Sequence, residues 1–413
     1  MPSNSRPSMA LTGQSRDATR AHNLSIVLKM VQHAVTISRS QLTTNSGLNR
    51  STILNIVSEL QELGLVSETE APSTTGVGRP SLMVSASENL VAFAVNPESD
   101  ATTVGLVSLS GKVLKRVRVL TGGNHSPATA VATAAREIGK IMATLDPATR
   151  IVGIGVAIPG QVRVQDGIVR FAPALNWVEV PIAAMLAQAT GLPVAVDNDA
   201  SLGCSAEYIY GAGRGFSNVV SVFSGAGGIG GGVIIDGVQL RGATGYAGEL
   251  GHVKISSSSA PDNSGLTGTL EAHVRRDDLL HIFKLDSATD EELDLEIQRT
   301  KASGAIKVLQ AQVDFVGQAV ANMVNIFNPE IVILEGFLAS LLARFEDRLL
   351  ETVKTSALNA ATENLLIRRG DLGSRAIMLG AADLQFGRLI ENPAGLKLFA
   401  PSSTPGSKPT LAP

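Results

Sequence analysis

Cysteine is nearly absent: Cys204 is the only one in 413 residues, which excludes an internal disulfide and any metal site built on several thiolates. Its plain reading is a small buried apolar residue. Aromatic residues make up only 4% of the chain and charged residues 17%. Long apolar runs are also missing. Those near Val219 and Ile331 are broken by Gly, Asn, Pro or Glu well short of a bilayer's width, and the leading MPSNSRPSMALTGQSRD is polar, so neither a membrane span nor a signal peptide is expected, and a cytoplasmic location is. What is present is 44% hydrophobic residues and 41 glycines, a balance suited to an α/β protein whose parallel strands are apolar on both faces. The length allows two or three domains with a large core. The net charge of −3 hides an asymmetry: six Lys/Arg stand against the single acid Asp17 up to Ser58, a local balance of +5 that leaves −8 for the rest. A basic front suits a polyanion, although solubility alone would also explain it.

Within that front, Leu24, Val27, Leu28, Val31 and Ala34 recur at helical spacing and predict a helix over 18–34. Ser38 can cap a short helix over 39–44, Asn45-Ser46-Gly47 is a turn, and Asn49 or Ser51 can cap a longer helix that keeps Ile53, Ile56, Val57, Leu60 and Leu63 inside and stops at Gly64. Helix, short helix, glycine turn and long helix is the helix-turn-helix arrangement. An inert three-helix bundle has the same outline, but it has no reason to begin its last helix with Asn-Arg-Ser-Thr, side chains suited to base edges and phosphates. Arg39, Asn49, Arg50, Ser51, Thr52 and Asn55 are therefore the residues expected to face DNA. Strands at 65–68 and 82–84 flank a Pro/Ser/Thr/Gly loop, a wing whose Gly78-Arg79-Pro80 turn could place Arg79 in a minor groove.

A second organising stretch runs from Val194 to His252. An apolar run ends in Asp197, Asn198 and Asp199, as a buried strand does when it delivers polar side chains at its carboxyl end, where open α/β sheets place ligands. A β-branched segment, Asn218 to Phe223, then meets the glycine run 225–232 and the apolar Val233–Ile235, so backbone passes there almost without side chains. Gly248-Glu249-Leu250-Gly251-His252 adds a carboxylate and an imidazole, the acceptor and donor that vicinal hydroxyls need. A polyol-sized site is the natural inference.

Strand-Asn-Asp, glycine hairpin and Gly-Glu-Leu-Gly-His, in that order and with Gly153-Ile154-Gly155-Val156-Ala157-Ile158-Pro159-Gly160, Leu192-Pro193-Val194 and Asn328-Pro329-Glu330-Ile331-Val332, resemble the ROK family of sugar kinases and transcriptional repressors. The stretch 20–84 likewise resembles the winged helix-turn-helix of its repressors. The implied fold class is α/β, an N-terminal winged helix-turn-helix followed by a two-lobed actin-like/sugar-kinase-like (ribonuclease H-like) domain. Its expected division is a disordered arm 1–17, the DNA-binding domain 18–86, a small lobe 87–199 with about 379–396, a large lobe 200–378 and a disordered tail 397–413. The resemblance implies a sugar or sugar-phosphate effector held by Gly160, Asn198, Asp199, Glu249, His252 and Glu271, with Asp199 matching the kinase general base. Ala174 stands where the family's substrate loop commonly has asparagine, and Trp177 in that loop is expected to report binding.

The departures fall elsewhere. Where ROK kinases have an Asp-x-Gly-Gly-Thr phosphate loop, this chain has Asn96-Pro97-Glu98-Ser99-Asp100: no glycine, a proline without a donor, and two carboxylates that would repel phosphate. Ala226-Gly227-Gly228-Ile229-Gly230 lacks the threonine of the second phosphate loop, and Glu335 stands where the adenosine side has glycine. Of the family's zinc pattern, the three cysteines are replaced by Asp262, Ser264 and Thr269, which leaves His252 alone and no metal site. No cofactor is expected. The reading is a non-enzymatic regulator, a repressor of carbohydrate uptake or metabolism genes that binds a double-stranded DNA operator as a homodimer or dimer of dimers, with no membrane partner. Two alternatives stay open: an ATP-dependent sugar kinase with an added DNA-binding domain, opposed by residues 96–100, and an effector-independent DNA-binding dimer, opposed by the retained hydroxyl-binding set.

Overall fold

The computed structural model describes residues 16–70, 82–122, 126–225, 227–402 and 408–412. These form two compact units, one comprising the chain up to Ser87 with Gly387–Leu396, the other Glu88–Phe386 with the residues after Leu396. The segment 387–396, expected in the small lobe, thus clusters with the N-terminal unit.

The first unit is built by local signals. Helix α1 (Arg16–Ala34) buries Leu24, Val27, Leu28 and Val31 on one face. A short strand β1 (Thr36–Ser38) leads into α2 (Arg39–Ser46), where Ser38 accepts from the Gln41 backbone N–H and Gln41 answers on the Ser38 backbone, a complete capping box. Gly47 closes α2 with φ +70°, and Asn49 caps α3 (Arg50–Glu62) by accepting from Thr52 N at 2.8 Å. Helix α3 turns Ile53, Ile56, Val57 and Leu60 inward, and Arg20 of α1 is held to Glu59 of α3 at 2.9 Å. Strands β2 (Val66–Glu70) and β3 (Leu82–Ala86) pair antiparallel as the wing's flanks, from Val66 opposite Ala86 to Glu70 opposite Leu82. Thr36 to Ser38 adds a third strand beside β3, a pairing across almost 50 residues that no local pattern announces.

The second unit holds two principal sheets. In the small lobe, β4 (Leu90–Pro97), β5 (Ala101–Ser108) and β6 (Val113–Leu120) form an antiparallel meander. Helix α4 (Pro127–Met142), capped by Ser126 with proline at its first turn, packs its apolar side on the sheet. Strand β7 (Arg150–Ile158) runs parallel to β4. A side sheet of β8 (Gln161–Arg163), β9 (Ile168–Ala172) and β10 (Trp177–Val180) follows, then α5 (Ile182–Thr190) and β11 (Val194–Asn198), which is parallel to β7. Helix α6 (Asp199–Tyr210) starts directly at the end of β11.

In the large lobe, β12 (Val219–Gly225) and β13 (Gly228–Ile235) form the glycine hairpin, extended by β14 (Val238–Gln239). Most of the glycine run is therefore strand. Helices α7 (Leu270–His273), α8 (Arg276–Phe283), α9 (Asp290–Arg299) and the long α10 (Ser303–Phe327) lead to β15 (Ile331–Gly336), parallel to β12. After β15 come α11 (Phe337–Ser356), α12 (Asn359–Thr362) and β16 (Leu366–Arg369), which no sequence expectation covered. Leu338, Leu341, Leu342, Leu349 and Val353 bury one side of α11 against α10 and the sheet.

Helix α13 (Ala376–Glu391) returns to the small lobe, where Gly155 makes room for it: a Cβ at Gly155 would lie 1.6 Å from the Ala381 carbonyl oxygen. The tail corrects an expectation. Instead of being unstructured from 397, it adds β17 (Phe399–Ala400) beside β7 and β18 (Thr410–Leu411) beside β17.

Candidate functional site

In the first unit, Asn49, Arg50, Ser51 and Asn55 are exposed on the first turns of α3, with Thr52 half-buried beside them. Asn49 spends its carbonyl oxygen on the cap, accepting from Thr52 N and from the Ser51 hydroxyl at 2.7 Å. Arg39 is engaged differently: its guanidinium makes a two-pronged ion pair with Glu68 of β2, at 2.5 Å through Nε, and is only one-quarter exposed. That pair ties α2 to the wing and uses Arg39 within the fold. Arg79 lies outside the described residues.

In the second unit, polar residues converge from both lobes. Asn198 caps α6 by accepting from Ser201 N at 2.9 Å and donates through its side-chain amide to the Gly160 carbonyl at 3.1 Å, tying the β7–β8 turn to the end of β11. Asp197 is buried; it accepts from Asn198 N and is paired with Arg241, which follows β14. Asp199 accepts from Ala200 N at 2.8 Å, and burial, with Glu249 nearby, pushes its carboxyl up to about 7. Burial also raises the Glu249 carboxyl, with Glu271 reinforcing the effect and His252 and the Gln161 amide opposing it. Gln161 is a site neighbour that the sequence reading missed, though it directly follows the Pro159-Gly160 turn.

Glu271 is held by the backbone. It accepts from Ile229 N at 2.7 Å and Asn263 N at 3.2 Å, and it comes so close to the hairpin that a Cβ at Gly228 would lie 2.1 Å from its carboxylate. Across the lobes, a Cβ at Gly227 would sit 3.6 Å from those of Pro159 and Ala174. Glycine there leaves backbone as the cleft's lining.

His252 presents Nε2 to Glu249 at 3.9 Å and holds Asp262 through Nδ1 at 2.8 Å. Burial would lower its proton affinity, but the Asp262 hydrogen bond and the fields of Glu271, Asp262 and Glu249 outweigh it and leave the imidazole above its ordinary value. Trp177 corrects another expectation: it is 2% exposed, packed in the small-lobe core with Val169, Leu175 and Val180. Its indole thus lies inside that core instead of on an exposed loop.

In the segment 96–100, which stands where the resemblance places a phosphate loop, the carboxylates are internally partnered. Glu98 accepts from the Thr103 hydroxyl at 2.5 Å and from Arg118 at 3.0 Å, and Arg118 also holds Asp100 at 2.7 Å. Farther along, Glu335 is buried at the end of β15, takes a hydrogen bond from Ser221, and is pushed up to about 8 by burial and by Glu207. Glu207 is itself fully buried, accepting from the backbone N–H groups of Ala212, Asp371 and Leu372. Two acids are thus buried near each other here, and Glu335 is the one that stands where the resemblance places glycine.

The fold and this site together define a class. The ROK family model matches residues 94–387, and the chain belongs to the ROK family. A xylose repressor from Caldicellulosiruptor bescii is 28% identical over 391 residues, which cover 90% of this chain and 97% of the relative. A glucokinase from Thermotoga maritima is 32% identical over 252 residues, 57% of this chain and 78% of that enzyme. Among solved structures, a ROK family transcriptional regulator described as a homologue of the Escherichia coli MLC protein superposes with a TM-score of 0.72 at 24% identity, covering 91% of this chain and 97% of its own. The match to the repressor takes in nine-tenths of the chain, the match to the glucokinase little more than half.

Proposed function

We propose that this protein is a DNA-binding transcriptional repressor whose ROK domain binds a sugar, or a sugar derivative, without phosphorylating it. One observation supports the reading: Asn198, Asp199, Glu249, His252 and Glu271, the groups assigned here to a sugar's hydroxyls, lie within reach of one another's hydrogen bonds or fields, while Glu98 and Asp100, in the segment that replaces the phosphate loop, are tied to Arg118. Asp199 could accept a hydroxyl proton, but without a cradled phosphoryl donor it serves only as a hydrogen-bonding group. The resemblance to a xylose repressor over nine-tenths of the chain supports the regulatory branch over the kinase branch.

On the DNA side, Arg50, Ser51, Thr52 and Asn55 are assigned to base and phosphate contacts, with Asn49 setting the helix start and Arg79 contributing from the wing. Arg39, already held by Glu68, is assigned to bracing α2. A two-fold dimer, or a dimer of dimers, acting in the cytoplasm would protect a pseudo-palindrome with half-sites one or two helical turns apart.

The test joins two measurements. Incubation with ATP, magnesium and a panel of hexoses and pentoses should yield no sugar phosphate above an Asp199→Asn control; turnover well above it would return the protein to the kinase branch. Genomic fragments captured by the protein should share a pseudo-palindrome, and a sugar from the same panel should release them.

A further inference from the structure

We infer that Asp262 is a positioning residue that takes over the organising role of a metal centre: by hydrogen bonds alone it orients His252, with Nδ1 turned to Asp262 and Nε2 turned to Glu249. The use of Nε2 for a sugar rests on the reading above; the orientation itself does not.

The Asp262 side chain has no exposed surface. Its Oδ1 accepts from Ser264 N at 2.9 Å, the Ser264 hydroxyl at 2.7 Å and Leu266 N at 3.0 Å; its Oδ2 accepts from the Thr269 hydroxyl at 2.8 Å and His252 Nδ1 at 2.8 Å. A carboxylate offers about four lone-pair sites, and five donors occupy them. Asp262, Ser264 and Thr269 are the three positions where the resemblance places thiolates, and His252 is the fourth member. The substitutions are therefore coherent: one anion and its donors close the loop on itself.

Zinc does not fit this arrangement. A closed structural zinc wants four nitrogen or sulfur ligands, and only His252 supplies one. Glu271 also brings an oxygen within 4.8 Å of the His252 and Asp262 atoms, yet its carboxylate accepts from Ile229 N and Asn263 N. The same donors that hold Asp262 to about 2, against its burial, would have to be stripped away before it could bind a cation.

A carboxylate in this state only accepts, so the proton of the shared hydrogen bond belongs to His252 Nδ1. The hydrogen bond made by one ring nitrogen sets the character of the other. In the neutral imidazole, Nε2 is then the lone pair facing Glu249 and can accept from a hydroxyl; in the cation it donates. The loop also fixes the rest of the wall, since Asn263 holds Glu271 by its backbone and the Gly227 carbonyl by its side chain at 3.3 Å.

Nitrogen-15 NMR of histidine-labelled full-length protein, with the His252 signals assigned by their loss in His252→Gln, tests this directly. Native protein should show Nδ1 protonated, and equimolar zinc should leave the signals unmoved. Asp262→Asn should abolish that tautomer preference, whereas Ser264→Ala should keep it. A combined Asp262→Cys, Ser264→Cys, Thr269→Cys variant should take up one cobalt(II) per chain with thiolate charge-transfer bands, because the four positions already converge. Native protein that shifts with equimolar zinc, or an Asp262→Asn variant that folds and keeps the native tautomer, would overturn the inference. If Asp262→Asn does not fold, the native tautomer and the zinc titration still decide. For whichever sugar binds, Asp262→Asn should weaken binding by roughly tenfold, the loss of one charge-assisted contact. Should no sugar bind while the tautomer behaves as stated, the positioning role stands and the effector reading falls.

Discussion

Glu335 carries a carboxyl far from its type's ordinary chemistry. Its carboxyl is raised to about 8 by burial and by Glu207, so the folded chain keeps a proton there that the unfolded chain releases near the ordinary carboxylate value. Between those two values the folded state binds more protons, and stability must fall as pH rises through the window, levelling above about 8. Glu335→Gln, which retains the shape and can still meet Ser221, should remove that slope. Urea midpoints from pH 5 to pH 9 should show the variant gaining on the native protein with rising pH, by on the order of 2 kcal/mol or more at pH 9; parallel curves would mean that Glu335 is ionised in the fold. Arg50 and Arg39 make a contrasting pair. Arg50→Ala should weaken operator binding by about 1–3 kcal/mol with thermal stability unchanged. Arg39→Ala, which breaks the pair with Glu68, should cost about 1 kcal/mol of stability, its partial burial placing it at the upper end of such pairs. Operator titration and thermal melts of both variants separate the two roles.

At the scale of elements, the close seat of α13 makes the sharpest prediction. A methyl at Gly155 would collide with the Ala381 backbone, and backbone cannot rotate aside, so Gly155→Ala should force α13 off β7 and cost roughly 3 kcal/mol or more. A melting temperature within a degree of the native value would refute that packing. The same elements show what was legible in the sequence. Ser38, Gly47, Asn49 and Gly64 act within a turn of their own positions, so the starts of α2 and α3 could be read directly and the end of α2 to within two residues, as could the strand that ends in Asn198, with Asp199 opening the next helix. The pairing of β1 with β3, the Arg39–Glu68 bridge and the seating of β17 and β18 join residues far apart, and no local periodicity encodes them. Helix α11 is a different case: its buried leucines carry a helical period, yet they directly follow a glycine-terminated strand, which masks the helix start. Motif order singled out Asn198, Asp199, Glu249, His252 and Glu271, which the fold brings near one another, whereas the Asp262 hub was not legible, because a lone aspartate in a Ser/Gly/Thr loop looks like an ordinary turn.

For the molecule as a whole, the question is how a sugar held in the second unit alters DNA held by the first. Whatever the path, a ligand moves the equilibrium only by its differential affinity for the states that bind DNA well and poorly. Coupling is also reciprocal: if saturating sugar lowers operator affinity by some factor, saturating operator must lower sugar affinity by the same factor, typically about 5–150-fold for regulators. The measurement is therefore double. Operator affinity is followed by anisotropy across sugar concentrations at one fixed salt, since salt alone changes affinity steeply. Sugar affinity is followed by calorimetry with and without operator duplex, a choice dictated by the burial of Trp177 in the small-lobe core, where its fluorescence is a poor witness of the cleft. The two factors should agree, and Glu249→Ala or His252→Ala should abolish both while leaving sugar-free operator affinity intact, because neither residue belongs to the DNA-reading unit. Sugar that binds the native protein equally well with and without operator would show that the two units act independently, and would leave a DNA-binding protein with an uncoupled sugar site.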